Sequence, residues 1–349
     1  MRAMSVVPGQ PDSAAIRDLA DPPESDGSVL VEGVLAGICG TDLEIVEQYG
    51  VGAAPSGEES LVLCHESLGR VLEAPAHSGF NHGDLVAGIV RRPDPQPCAC
   101  CAAGDWDFCR NGRYTERGIK ERHGYGSQRW RVEPEFAIKV DPSLGELGVL
   151  VEPTSVVAKA WEQIERIQAR ACSAPQRALI TGAGPIGLLA ALLAVQRGYD
   201  VHVLDMVTSG PKPQLVADLG ATYHHEGVDA LNMEPDVVVE CTGAGPLVFD
   251  LTDSCAPNAT ICLTGISSGQ RAVATNLDEI NKDIVLENTV IFGSVNAARR
   301  HYEQAAEALA AADKGWLGRL ITRRVPLQQW TGALHKEEGD VKVVVGLQV

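Results

Sequence analysis

Ala178-Leu179-Ile180-Thr181-Gly182-Ala183-Gly184-Pro185-Ile186-Gly187 is a short apolar run that meets Gly-x-Gly-x-x-Gly. An Ala/Leu-rich segment of helical period follows, Leu188 to Val195, and then a second apolar run, Val201-His202-Val203-Leu204, ends on Asp205. Strand, glycine turn, helix, strand and acid, in that order, are what a dinucleotide-binding βαβ unit requires. Gly182 allows the tight turn, Gly184 lets a pyrophosphate approach the backbone, and Gly187 lets the helix pack close to the strand. Pro185 and Ile186 open the helix, whose free N–H groups face the phosphates. Asp205 stands 18 residues beyond Gly187, where a carboxylate holds a ribose 2′-hydroxyl.

Residues 177 to about 293 alternate strand and helix, with apolar strand candidates at 178–182, 201–204, 236–241, 260–264 and 289–293. The alternation predicts a parallel sheet. Ligands of such sheets sit beyond the strand carboxyl ends, which places Thr242, Gly265 and Ser294 near the cofactor. Residues 1 to about 150 carry many turns between short runs such as Ser28–Val34 and Asp84–Val90, and predict a β-rich domain. A helix around Val156–Ile164 links the two, and 300–313 predicts an amphipathic helix. The last apolar run, 340–347, predicts a strand that returns to the first domain.

The chain has 349 residues, 45% hydrophobic, and a net charge of −17. That acidity argues against nucleic acid as a partner, because phosphates are repelled. No run approaches about 18 uninterrupted apolar residues, so no membrane span is expected. Met1 to Pro8 lack the long apolar core of a signal peptide, and a cytoplasmic location is expected. Ten cysteines with four clustered, Cys98, Cys100, Cys101 and Cys109, then read as a metal site before disulfides.

A second, dispersed set consists of Gly37-Ile38-Cys39-Gly40-Thr41-Asp42, Leu63-Cys64-His65-Glu66 and Leu150-Val151-Glu152-Pro153. Cys, His and Glu are zinc ligands, and a catalytic zinc keeps one position open. Such an ion polarises a substrate hydroxyl and lowers its pKa, a hydroxyl such as Thr41 passes the proton outward, and hydride leaves to the nicotinamide.

With Gly83-Asp84-Leu85-Val86, Val90-Arg91-Arg92-Pro93, Thr115-Glu116-Arg117-Gly118-Ile119 and Gly293-Ser294-Val295-Asn296 added, nearly the whole chain resembles the zinc-dependent medium-chain alcohol dehydrogenases. Within them it is most similar to the glucose dehydrogenases of archaea and some bacteria. The resemblance implies an α/β architecture. A GroES-like β-rich catalytic domain is expected over 1–155 and 300–349, and a Rossmann doubly wound parallel-sheet domain over 156–299, with the active site in the cleft between them. It implies that Cys39, His65 and Glu66 surround a catalytic zinc, with Glu152 at a further ligand or substrate position and Thr41 as proton relay. Glu116, Glu152, Asn296 and His301 fall where sugar-binding groups are expected, Asn296 also near the nicotinamide. The partners implied are a sugar or polyol and further copies of the chain, as homodimer or homotetramer joined through the 289–295 edge.

Three departures from the relatives stand out. Cys64 replaces the usual Gly before His-Glu, and reads as a packing residue or a competing thiol. The structural-zinc spacing Cys-x2-Cys-x2-Cys-x7-Cys is met by Cys98, Cys101 and Cys109, but the first position is Pro95; either Cys100 supplies the fourth ligand or the site is vestigial. Relatives that prefer NADP carry arginines after the second strand, where this chain has Asp205-Met206-Val207, so NAD preference over NADP is expected, with Lys212 the one residue able to rescue phosphate binding. The default substrate is D-glucose, oxidised to gluconolactone. Apolar Val156, one helical turn after Glu152, keeps a cyclitol, amino-sugar or other polyol substrate in view. Two further alternatives stay open: a zinc-independent reductase, whose kind lacks the Cys and His-Glu seen here, and a non-catalytic nucleotide-binding protein, against which the intact metal constellation argues.

Overall fold

The computed structural model describes residues 1–47, 51–172, 174–267, 274 and 276–348. The chain divides into two compact units, Met1–Ser155 with Asn296–Val349, and Val156–Val295. The first boundary falls inside one continuous helix, Val151–Gln168. The second falls before Asn296, earlier than the expected 300. The reason is local bonding: the Asn296 amide donates to Glu116 and the Ala297 carbonyl accepts from Trp106, so these residues are tied into the first unit.

The first unit is built on a seven-stranded, mainly antiparallel sheet. Its centre is the long strand Val29–Gly37, flanked by Glu66–Glu73 on one side and the terminal strand Lys342–Gly346 on the other. The end of the chain thus pairs antiparallel with Val29–Gly37, Val344 opposite Gly37. Alternating burial along Val29–Gly37 fits a strand whose apolar face meets a core. One core gathers Met4, Ile45, Leu61, Leu63, Leu327 and Trp330, and a second packs Val31, Val71, Tyr125 and Trp130.

The second unit is a six-stranded parallel sheet. Its order is Thr222–His224, Asp200–Leu204, Arg177–Thr181, Val237–Glu240, Thr260–Leu263 and Val290–Gly293. Running order 3-2-1-4-5-6, this is the doubly wound dinucleotide arrangement, with its reversal point between the first and fourth strands. The four inner strands are largely buried, Val/Ile/Leu-rich runs, as strands covered on both faces are. Thr222–His224, absent from the strands read in the sequence, is the half-exposed edge. Among the described residues no helix is long and apolar enough to cross a membrane.

Candidate active site and cofactor cradle

In the first unit, Cys39 follows the central strand and immediately precedes the helix Gly40–Glu47. Asp42, the third residue of that helix, reaches back and accepts from the Cys39 N–H at 2.9 Å, the return half of a capping box. Its other oxygen accepts from the Cys64 N–H at 3.1 Å. One buried carboxylate therefore fixes the two backbone segments that carry Cys39 and His65. Thr41, half-buried, occupies the second position of the same helix.

Cys39, His65 and Glu66 come together, with one potential ligand atom from each inside a 4.8 Å cluster. His65 and Glu66 are buried, and among the described residues His65 Nδ1 has no hydrogen-bond partner. A buried imidazole nitrogen left unpaired is costly unless something else satisfies it. Burial acts against protonation of His65, yet Cys39, Asp42 and Glu152 hold its pKa well above the ordinary value. A site this rich in negative charge favours a cation. The donor set of thiol, imidazole and carboxylate suits zinc.

Glu152, on the first turn of Val151–Gln168, is not part of that cluster. It stands close enough to feel it: burial pushes its carboxyl up to about 7, opposed by His65 and reinforced by Glu66. Lys342, from the terminal strand, escaped the sequence reading. Its ammonium contacts Glu66 Oε2 and donates to the Ile38 carbonyl at 2.9 Å. The strand between the two residues makes this reach possible through Gly37, where a Cβ would stand 2.0 Å from Glu66 Oε2.

Cys64 sits in the core beside Leu61 and Leu63, not in the metal cluster, and burial pushes its thiol well up. It is a packing residue. Its φ of 67° explains why a glycine suits this position.

Glu116 accepts from Arg91 Nε at 3.0 Å and from the Asn296 amide at 2.8 Å, so two of the expected sugar-binding residues join in one network. His301 is fully buried, and its Nδ1 accepts from the Ala298 N–H at the start of the helix Arg299–Ala311. One of its nitrogens is thus committed to capping that helix.

The cysteine lobe brings Cys98, Cys101 and Cys109 within 4.8 Å and leaves Cys100 out. Helical geometry is the cause: each residue of Ala99–Ala102 turns about 100°, so Cys98 and Cys101 share a face that Cys100 misses. The Arg110 N–H, which donates to Cys98 Sγ, lowers that thiol to about 6, while burial raises Cys101 to about 12.

In the second unit, Gly182 has φ 89° and donates to the Leu204 carbonyl. A Cβ on Gly187 would lie 1.7 Å from the Gly182 carbonyl oxygen, so only glycine lets helix and strand approach. Gly184, in contrast, has room: a Cβ there meets no atom of the described residues within 4 Å. That is the room a pyrophosphate needs at the N-terminus of Pro185–Gln196, where Pro185 and Ile186 are the first residues. The cradle fits a dinucleotide.

Asp205 accepts from the Ala183 N–H at 2.6 Å, from the Val207 N–H at 3.0 Å and from Lys212 at 3.0 Å. Partial burial acts upward on its carboxyl, but these donors hold it below the usual value. Glu240, buried at the end of its strand, is a further group the sequence reading missed. It receives the N–H groups of Thr242 and Gly243 and the Thr242 hydroxyl. A Cβ on Gly265 would lie 2.8 Å from its Oε2. Glu240 thereby shapes the loops at the strand carboxyl ends, which carry Thr242 and Gly265, while the Ser294 N–H donates to the Leu263 carbonyl.

Residues 25–142 match the model of the alcohol dehydrogenase GroES-like domain, and 145–347 that of the glucose dehydrogenase C-terminus. Glucose 1-dehydrogenase of Methanocella arvoryzae is 38% identical, over 99% of both chains. Glucose 1-dehydrogenase of Thermoproteus tenax is 36% identical over the whole of both. The structure of Haloferax mediterranei glucose dehydrogenase in complex with NADP, Zn and gluconolactone superposes with a TM-score of 0.92, at 29% identity over the whole of both chains.

Proposed function

From the premise that the chain belongs to the glucose dehydrogenase family and is a zinc-dependent, NAD(P)-linked dehydrogenase, we propose that it oxidises D-glucose to gluconolactone with NAD as the preferred acceptor. The observation that carries this reading is the convergence of Cys39, His65 and Glu66, with His65 Nδ1 buried and unpartnered.

Cys39, His65 and Glu66 would hold the metal, with Glu152 as a further ligand or a partner for a sugar hydroxyl. When bound, zinc lowers the pKa of the anomeric hydroxyl and the nicotinamide takes the hydride. Thr41, next to Cys39 on its helix, accepts the hydroxyl proton and passes it outward. Glu116 and Asn296, tied together and backed by Arg91, orient sugar hydroxyls. His301 supports the Asn296 segment from the core. Gly184 and the helix behind it receive the pyrophosphate.

NAD preference is supported by Asp205, a carboxylate fixed by two backbone N–H groups, which accepts from a 2′-hydroxyl and repels a 2′-phosphate. Lys212 partly neutralises it and sets the residual use of NADP. A second copy of the chain is the proposed partner. Val290–Gly293 is an edge strand, and Leu277, Val285, Leu286 and Val295 of the same unit are exposed.

The test is a substrate screen that follows nicotinamide reduction with D-glucose, other aldoses, amino sugars, cyclitols and simple alcohols at equal concentration, with NAD and with NADP. D-glucose is expected to lead with NAD, and activity to vanish on chelation and return with zinc. A cyclitol or amino sugar in the lead moves the substrate assignment to that class, as Val156 in place of a polar residue allows. Turnover indifferent to chelation removes the zinc mechanism.

A further inference from the structure

The lobe at residues 98–109 has the sulfurs of a metal site but not the number a closed one needs. Cys98 caps the short helix Ala99–Ala102, Cys101 lies within it, and Cys109 follows the turn Trp106–Phe108. Their sulfurs converge, Cys98 and Cys101 at 3.6 Å. The Arg110 N–H donates to Cys98 Sγ at 3.4 Å, the kind of outer contact that orients a ligating thiolate.

A closed structural zinc takes four ligands, and among the described residues no further His, Cys, Asp or Glu joins the three sulfurs. Pro95 has no donor. Neighbouring Asp94 is 8% exposed, but its oxygens are taken by the Gln96 N–H, the Asn111 amide and Arg113. Cys100 lies off the ligand face. The Asn111 amide oxygen, 3.0 Å from Cys109 Sγ, accepts from the Arg113 N–H and is not among the usual zinc donors. The four-cysteine zinc of the relatives therefore does not fit this lobe.

We infer that Cys98, Cys101 and Cys109 form a three-thiolate site for a thiophilic divalent cation, with the fourth position left to an external donor, water or a small thiol. An open position sets such a site apart from the closed four-ligand structural zinc. The lobe is also wired to the sugar-binding residues. Arg91, which pairs with Glu116, donates to the carbonyls of Trp106 and Asp107, and the Trp106 indole donates to the Ala297 carbonyl. Ordering of the lobe by a cation thus steadies the Arg91–Glu116–Asn296 network. This last link rests on the proposed sugar-binding role; the metal site itself does not.

Cadmium-113 binding to the full chain, stripped of metal and kept reduced with a phosphine, tests the site without turnover. Two cadmium ions per chain are expected. One should resonate in the range of three sulfurs plus oxygen, and shift when a small monothiol is added. Cys100→Ser should leave this signal unchanged, and Cys98→Ser or Cys109→Ser should abolish it while the other cadmium persists. Three results overturn the inference: a four-sulfur resonance indifferent to added thiol, loss of the signal in Cys100→Ser, or no cadmium in the lobe while the other cadmium is bound. Failure here leaves the dehydrogenase reading intact, and loss of the other cadmium alone would strike that reading instead.

Discussion

Lys342 and Glu66 form an ion pair in which each side chain is only 2% exposed, and they meet across a strand whose glycine, Gly37, leaves the gap between them. The pair joins the terminal strand of the chain to the proposed metal site. Burial acts downward on the Lys342 ammonium, and Glu66, Cys39 and Glu152 more than offset it. Lys342 is thus the cation that compensates a cluster of anionic donors when no metal does.

Lys342→Met removes that compensation. Breaking one side of a buried pair costs about 3–5 kcal/mol, because the other charge stays buried and alone. The metal-free variant should unfold at lower denaturant by roughly that amount, and zinc should stabilise it more than it stabilises the parent protein. Denaturant titrations with zinc and with chelator give both numbers. Equal zinc stabilisation in the two proteins would show that Lys342 and the metal do not share Glu66.

Cys64 holds a left-handed backbone, φ 67°, that costs a residue with a Cβ about 1–2 kcal/mol. Cys64→Ala deletes the buried sulfur and keeps that strain; Cys64→Gly deletes it and releases the strain. The glycine variant should therefore be the more stable of the two by about 1 kcal/mol, the reverse of the usual order. Zinc content should be unchanged in both, since the sulfur lies outside the ligand cluster. Loss of zinc in either variant would reinstate Cys64 as a competing ligand.

Much of this was legible in the sequence where local chemistry and tertiary role coincide. The run before Gly182 is apolar because its strand is buried on both faces, and Gly182 and Gly187 each answer a measurable approach while Gly184 leaves room. The edge strand Thr222–His224 was not legible, because a half-exposed Thr-Tyr-His carries no apolar run. Lys342 reads as a solvent-facing residue between two valines; only the sheet order reveals that it points at Glu66. Glu240 likewise looks misplaced after three valines until the loops it receives are in view. Asp42 did leave a signal, an acid three residues after Cys39 at a helix start, which is capping chemistry. Cys100 is the opposite case: composition grouped it with three other cysteines, and helical phase separates it.

Asp205 and Lys212 make opposite demands on the cofactor. Asp205→Ser removes the repulsion of a 2′-phosphate and leaves Lys212 unpaired to attract it. The ratio of kcat/KM for NADP to that for NAD should rise at least about tenfold, or 1.4 kcal/mol. Lys212→Ala should move the ratio the other way. Steady-state kinetics with both cofactors decides, and a ratio unmoved by Asp205→Ser would place cofactor choice elsewhere.

His224 should give the second unit a pH dependence. Burial lowers its pKa below the usual 6.5, and neighbouring His202, 2.8 Å away nitrogen to nitrogen, lowers it further; Glu226 opposes and His225 adds to the effect. Below about pH 6.5 the unfolded chain then binds a proton here that the fold resists. Stability rises with pH wherever the unfolded state binds more protons. The penalty is therefore absent above about 6.5 and grows as pH falls through it. His224→Gln should flatten the fall in unfolding free energy between about pH 7 and 5.5. An unchanged slope would assign the acid lability to other groups.

The glycine turn separates folding from cofactor binding in a single pair of substitutions. A methyl at Gly187 collides with the Gly182 carbonyl, 1.7 Å from the ideal Cβ, so Gly187→Ala must force helix and strand apart and should cost about 3 kcal/mol or more. A methyl at Gly184 meets no atom of the described residues within 4 Å, and its φ of −81° suits alanine. Gly184→Ala should keep the parent stability to within about 0.5 kcal/mol. It should nevertheless lose about tenfold or more in NAD affinity, because the methyl occupies the space the pyrophosphate takes. Thermal melts and NAD titration by calorimetry read the two effects independently. Full NAD affinity in Gly184→Ala would move the pyrophosphate away from this turn.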